Sequence, residues 1–105
     1  MNPMKMMKQV QKMQADMAKM QEELAQQTYE AEAAGGTIKA VANGEGELKS
    51  LTISPDLIKD AADDPEMLQD LVVTAVREAV NKGKMDAQEK MGKLTSGLNL
   101  PPGLI

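Results

Sequence analysis

Residues 4–26 constrain the fold more than any other stretch of this chain. Met6, Val10, Met13, Met17, Met20 and Leu24 recur at alternating spacings of four and three. That spacing gathers apolar side chains into one seam along a helix and requires a second helix against it, either from the same chain or from a partner. Lys5, Lys8, Lys12 and Lys19 lie away from the seam, so one helix offers an apolar edge to protein and a basic edge to something else. Asn2-Pro3 ahead of it reads as an N-cap followed by proline at the first helical position. At a rise of about 1.5 Å per residue such a helix spans some 35 Å, enough to project beyond a small domain.

After Gln27 the period changes. Residues 28–33 alternate polar with apolar and read as a short first strand, with continuation of the helix to Ala34 as the rival. Gly35-Gly36 breaks the pattern, residues 37–42 form a second strand, Asn43-Gly44-Glu45-Gly46 a hairpin turn, and residues 47–54 a third strand. Ile38, Ala40 and Ala42 mark one face. Val41 and Leu48 interrupt the alternation, which implies that both faces of the sheet are partly covered, one by helix and one by a partner subunit. Ser54-Pro55 repeats the cap-and-proline pattern for a short turn through Ile58, and Asp64-Pro65 repeats it for a long second helix over 65–92.

The apolar stripe of that second helix is Leu68, Leu71, Val72, Ala75, Val76, Ala79 and Val80; it dwindles after Gly83, leaving Lys82, Lys84, Lys90 and Lys93 on a polar extension. Ser96-Gly97 and Pro101-Pro102-Gly103 end regular structure, so residues 97–105 read as an extended tail, and truncation after Leu94 is expected to leave the dimer folded because the segment lies outside both stripes. The expected architecture is a single α+β domain over residues 1–105, in the order α-β-β-β-α, with a helical arm at 4–26 and a three-stranded antiparallel sheet within 28–54.

With 105 residues, no Trp, no Phe and Tyr29 as the only aromatic, the core must be built from small and flexible side chains, and a monomer would be marginal. An obligate homodimer is therefore expected. Cysteine and histidine are both absent, which removes disulfides and thiolate metal sites and fits a reducing cytoplasm. No stretch has the apolar length of a signal peptide or a membrane span, so the protein is expected to be soluble and cytoplasmic. The net charge of −4 is unevenly spread: residues 1–21 carry +3, residues 22–78 carry −9 and residues 79–105 carry +2. Positive charge gathered at the two ends matters more to a polyanion than the total does.

Catalytic and metal chemistry find no support. Asp60, Asp63, Asp64 and Glu66 are accounted for by N-capping and by the preference of acids for a helix's first turn, not by a metal. Gly44-Glu45-Gly46 lacks the Gly-Lys-Ser/Thr ending of a phosphate loop and sits in a hairpin. Ser50, Ser54 and Ser96 have no activating base in view. No enzyme activity, cofactor or small-molecule substrate is expected.

Several features taken in order carry a resemblance over nearly the whole chain. They are Met4-Lys5 and residues 9–14 in a Met-rich opening helix, Gly35-Gly36, Asn43-Gly44, Ile53-Ser54-Pro55, residues 64–71, and Leu100-Pro101-Pro102-Gly103. Together they resemble the YbaB/EbfC family of bacterial nucleoid-associated proteins, although strand 38–42 is poorer in β-branched residues than the family's usual run. The resemblance implies a tweezer-shaped homodimer with a central sheet and helical arms that binds DNA and helps organise the chromosome.

On that basis the lysines at the helix ends, Lys5, Lys8, Lys12, Lys19, Lys82, Lys84, Lys90 and Lys93, are the expected DNA contacts, neutralising phosphates of a duplex in the nucleoid. Their plain alternative is a solvated face in which Lys12 pairs with Asp16 and Lys19 with Glu23. Single strands are disfavoured because one tyrosine is no stacking platform, and guanine reading is weak because Arg77 is the only arginine. The competing function is a coiled-coil scaffold or holdase-like protein that binds other proteins through the methionine seam. A membrane-surface helix would need more bulky apolar residues beside the lysines.

Overall fold

A computed structural model describes residues 2–96. Proline opens each of the three α-helices in that span: α1, Pro3–Gln26; α2, Pro55–Asp60; and α3, Pro65–Ser96. The missing N–H of proline is harmless at a first helical position. Asn2 Oδ1 accepts the Met4 N–H at 3.0 Å, and Asp64 Oδ1 accepts the Met67 N–H at 3.1 Å, as N-caps do. Ser54 departs from the pattern, because its side chain makes no cap bond. Its N–H donates instead to the Thr37 carbonyl at 2.8 Å, which holds the residue at the end of the sheet.

Gln27 is extended, and the chain enters strand β1, Thr28–Ala33, not a continued helix. A 3-10 turn over Ala34–Gly36 reverses the chain, with Gly35 and Gly36 at φ +67 and +88, values that suit residues without a Cβ. Strands β2, Ile38–Asn43, and β3, Leu48–Ile53, complete an antiparallel sheet in the order β1-β2-β3.

The expectation that both sheet faces are covered needs correction. A register shift between Val41 and Ala42 sets Leu48 opposite Ala42, while Leu51 stands opposite Ala40 and Ile53 opposite Ile38. Residues directly opposite share a face, so the bulge returns Leu48 to the side of Ile38, Ala40 and Ala42. The other face carries Glu30, Glu32, Ser50 and Thr52, all exposed. Lys39 lies among them, 3.9 Å from Glu30 and 4.0 Å from Glu32. One face is apolar and the other mostly polar, with Val41 half-buried among its charged and hydroxyl side chains, and the break in alternation at Leu48 was a bulge.

Helix α3 covers the apolar face over β1 and β2 but barely reaches β3. Ala40, Ala42, Ala75 and Ala79 have no exposed surface, and Ile38 is fully buried among them. Alanine on both surfaces lets the helix backbone approach the sheet closely, which accounts for a strand poor in β-branched residues.

Helix α3 is also longer than the expected 65–92. Every fourth residue from Ala75 onward, namely Ala75, Ala79, Gly83, Ala87, Met91 and Thr95, is buried or half-buried. Four residues overshoot one turn by roughly 40°, so this ridge drifts about half-way round the helix along its length. It begins against the sheet and ends against α1, with which α3 packs. The stripe therefore does not dwindle after Gly83 but rotates to another partner. Thr95 is buried, and its hydroxyl donates to the carbonyls of Met91 and Gly92, both at 3.1 Å.

Helix α1 arrives at the sheet where α3 leaves it. The Gly44 N–H donates to the Leu24 carbonyl at 2.7 Å, and Gly83 lies against the Asn43 carbonyl. From that crossing the two helices run antiparallel as one arm, in a molecule 69 × 22 × 16 Å. Residues 97–105, expected as an extended tail, lie outside the described residues. No described helix is long and apolar enough to cross a membrane.

Candidate nucleic-acid interface

The arm is anchored at its base by one asparagine. Asn43 is 1 % exposed, and its Nδ2 donates to the Ala25 carbonyl at 3.1 Å and to Glu47 Oε1 at 3.0 Å. Its Oδ1 accepts the N–H groups of Glu45 and Glu47, both at 3.0 Å. One side chain thus closes the hairpin turn and holds a carbonyl at the end of α1. The bond to Asn43, with Lys49 nearby, holds the Glu47 carboxyl below its ordinary value.

A second tie joins the start of β1 to α3. The Tyr29 hydroxyl donates to Asp86 Oδ2, Lys90 Nζ pairs with the same oxygen at 3.0 Å, and Lys90 also donates to Gln27 Oε1 at 2.6 Å. Burial first, and then the bond to Asp86 and its negative charge, push the Tyr29 phenol up to about 12. The same bond, with help from Lys90, pulls the Asp86 carboxyl down. Sequence reasoning missed Tyr29, Asp86, Gln27 and Asn43 as a framework for the arm. A glycine inside a helix, Gly83, and a lone tyrosine were the only signals available.

On this framework the seam of α1 divides. Met13 and Leu24 are buried, and Met17 and Met20 half-buried, on a helix that packs against α3 of its own chain, whereas Met6 and Val10 are 47 % and 42 % exposed. Lys5, Lys8, Lys12 and Lys19 are all exposed. Among the described residues none of the four is in an ion pair, and the Lys12–Asp16 and Lys19–Glu23 pairs do not close. The first turn of α1 contains no acid, so the positive end of the helix dipole adds to the lysines there.

The lysines of α3 are placed differently. Lys82 Nζ donates to the Glu30 carbonyl at 2.8 Å, Lys90 is held by Asp86 and Gln27, and Lys93 pairs with Glu89 at 3.3 Å in the open. The stem of Lys84 lies against Gly46. The structure therefore treats the two sets of lysines differently. It leaves the α1 set free and engages Lys82, Lys90 and Lys93 within the chain. Glu30, Glu32, Glu45, Glu47, Asp56, Asp60, Asp63 and Asp64 all sit on the sheet, its hairpin, α2 or the approach to α3, away from the end of the arm. No group of acids among the described residues could hold a metal ion.

The sequence of this chain matches the YbaB/EbfC DNA-binding family over residues 1–98. It is 50 % identical to a nucleoid-associated protein of Akkermansia muciniphila, over 99 % of this chain and 98 % of that one. It is 55 % identical to one of Desulforamulus reducens, over 95 % of this chain and 93 % of the other, and 46 % identical to nucleoid-associated protein Atu0095 of Agrobacterium fabrum, over 96 % and 92 %. The fold resembles that of the uncharacterized protein HP0035 from Helicobacter pylori, with a TM-score of 0.62 and 19 % identity, covering 76 % of this chain and 90 % of that one. With the family pattern running almost end to end, and relatives near half identical over more than nine-tenths of their lengths, this chain belongs to the YbaB/EbfC DNA-binding family, which is defined by DNA binding and not by catalysis.

Proposed function

We propose that the protein acts as a homodimer that binds double-stranded DNA in the cytoplasm through phosphate contacts, chiefly from Lys5, Lys8, Lys12 and Lys19, and so helps to organise the chromosome and influence transcription. The observation that carries this reading is the stripe of exposed, unpaired lysines on a helix that projects away from an acidic body and has no acid in its first turn. Free ammonium groups displace condensed counterions from a duplex at little internal loss, whereas lysines already held by carboxylates or carbonyls must first give up a partner. Lys93, Lys90 and Lys82 rank behind them for that reason, whereas Lys84 is engaged only along its stem, against Gly46. The acidic sheet face points any bound duplex towards the arm.

The dimer reading is supported by apolar surface on the helix side of the sheet. Val73, Leu48 and Leu51 are 50 %, 44 % and 37 % exposed, and a groove beside them is lined by Val72, Val76 and Val80. Strand β3 is an edge of the sheet, and an exposed apolar edge is what a second subunit covers. The rival function, protein binding through the methionine seam, is weakened because Met13, Met17, Met20 and Leu24 are withdrawn from solvent within the chain.

The test is a titration of random-sequence duplex at several salt concentrations. Replacing Lys5, Lys8 and Lys12 by Gln should weaken binding to all sequences alike and flatten the slope of log K against log salt by roughly 0.9 for each phosphate no longer neutralised. Lys39 and Lys49, set in the acidic sheet, are the control and should matter less. Equal losses from both sets would put the duplex across the sheet, and no loss from the first set would return the lysine stripe to a solvated face.

A further inference from the structure

The carbonyls that end α1 are satisfied from across the fold. A helix leaves its last carbonyls without partners of its own, and α1 has no basic side chain in its last turn. The Leu24 carbonyl accepts the Gly44 N–H at 2.7 Å, and the Ala25 carbonyl accepts Asn43 Nδ2 at 3.1 Å. Two adjacent hairpin residues thus cap the helix that carries Lys5, Lys8, Lys12 and Lys19.

Each of the two is fixed in type by its place. A Cβ at position 44 would stand 2.7 Å from the Leu24 carbonyl oxygen and 2.8 Å from Leu24 Cβ, so only glycine lets the hairpin close on α1. Asn43 is 1 % exposed, and its side chain donates two hydrogen bonds and accepts two. An amide supplies that balance; a carboxylate, which only accepts, does not. The pair so required is also one in which the chain readily attacks its own side chain. The following nitrogen closes a five-membered ring on the amide carbon, and glycine has no side chain to obstruct it. Among the described residues the other asparagines precede Pro3, which has no N–H to lose, and Lys82, whose side chain crowds the nitrogen.

We propose that Asn43-Gly44 is a deamidation site that the seated end of α1 keeps closed, and that its reaction releases α1 irreversibly. While α1 is seated, Leu24 holds the Gly44 N–H and four hydrogen bonds fix the Asn43 amide, so nitrogen and Cγ do not meet. When the end of α1 lifts, the Gly44 nitrogen gives its proton to solvent base and attacks Asn43 Cγ. The new N–Cγ bond forms, the Cγ–Nδ2 bond breaks, and the departing nitrogen takes up a proton and leaves as ammonia. Water then opens the succinimide at Cγ to give aspartate, or at the main-chain carbonyl to give isoaspartate. One water is consumed and one ammonia released, with no oxidant or cofactor. The carboxylate has no donor for Ala25 or Glu47. Buried, it would face both the Glu47 carboxyl and the negative end of the α1 dipole, so the cap does not re-form. None of this depends on DNA binding.

In the full-length protein at mildly alkaline pH, peptide mass spectrometry should find conversion of Asn43 about tenfold or more slower in buffer than in urea, with Asn81 slow in both. Leu24→Ala loosens the end of α1 and should speed the reaction in buffer. Leu57→Ala loosens the core at the far end of β2 from Asn43 and should do so less. Equal rates in buffer and urea, or equal effects of the two variants, would overturn the proposal. Asn43→Asp reproduces the aspartate product. It should speed amide exchange over residues 13–26 about tenfold or more, and far less over residues 75–79, which lie against the sheet. Unchanged exchange over residues 13–26, or an equal loss of protection over residues 75–79, would overturn the release of α1 as well.

Discussion

Replacing Gly83 by alanine should destabilise the protein, and the same replacement at Gly92, nine residues on in the same helix, should stabilise it. A Cβ at Gly83 would stand 2.3 Å from the Asn43 carbonyl oxygen, 3.2 Å from its carbon and 3.2 Å from Tyr29 Cδ2. The crowded group is backbone, and the Asn43 side chain is pinned by four hydrogen bonds, so it cannot recede without straining the base of the arm. Overpacking of this kind costs about 1–3 kcal/mol, and a site this rigid belongs in the upper half of that range. Alanine in a helix interior returns about 1 kcal/mol of propensity, leaving a net loss of roughly 1–2 kcal/mol. At Gly92 a Cβ would meet nothing among the described residues within 4 Å, so only the gain of about 1 kcal/mol remains. For a domain of this size each kcal/mol moves Tm by roughly 4–8 °C. Circular dichroism on thermal and urea melts at one fixed protein concentration, which matters if subunit association contributes, should place the two variants on opposite sides of the parent. A Gly83→Ala protein as stable as the parent would refute the close crossing of α3 over the hairpin.

Three further outcomes follow from the same geometry. Tyr29 is the sole aromatic residue, so tyrosinate absorbance in the near-ultraviolet reports it alone; the midpoint should lie near 12 in the folded protein and near 10 in denaturant, and equal midpoints would dissolve the tie to Asp86. Because the folded state holds this proton more tightly, its contribution to stability is complete below pH 10 and is lost as pH rises from about 10 towards 12. Tyr29→Phe should remove that part of the alkaline loss. Sedimentation should find dimers wherever the chain is folded, and Val73→Glu, at a residue 50 % exposed in the single chain, should lose dimer and fold together; a variant that stays dimeric and as stable as the parent would move the interface elsewhere.

The sequence alone determined what depends on neighbours along the chain. Helix starts were legible because Asn2-Pro3 and Asp64-Pro65 satisfy free N–H groups locally. The change of period after Gln27 marked the passage from helix to strand, and Gly35-Gly36 and Asn43-Gly44 marked the turns. The α+β order and the family followed from those elements. Tertiary structure decided what depends on partners across the fold. The seam from Met13 to Leu24 found α3 of its own chain, since a ridge of every fourth residue carries α3 from the sheet to α1, a drift invisible while its two halves are read as separate stripes. A one-residue bulge chose the side on which Leu48 lies. Lys82 and Lys90 were separated from Lys5, Lys8 and Lys12 by Glu30, Gln27 and Asp86, residues more than fifty positions or a single helical turn away. Charge can be counted along a chain, but whether a lysine is free depends on which acceptors the fold brings within reach.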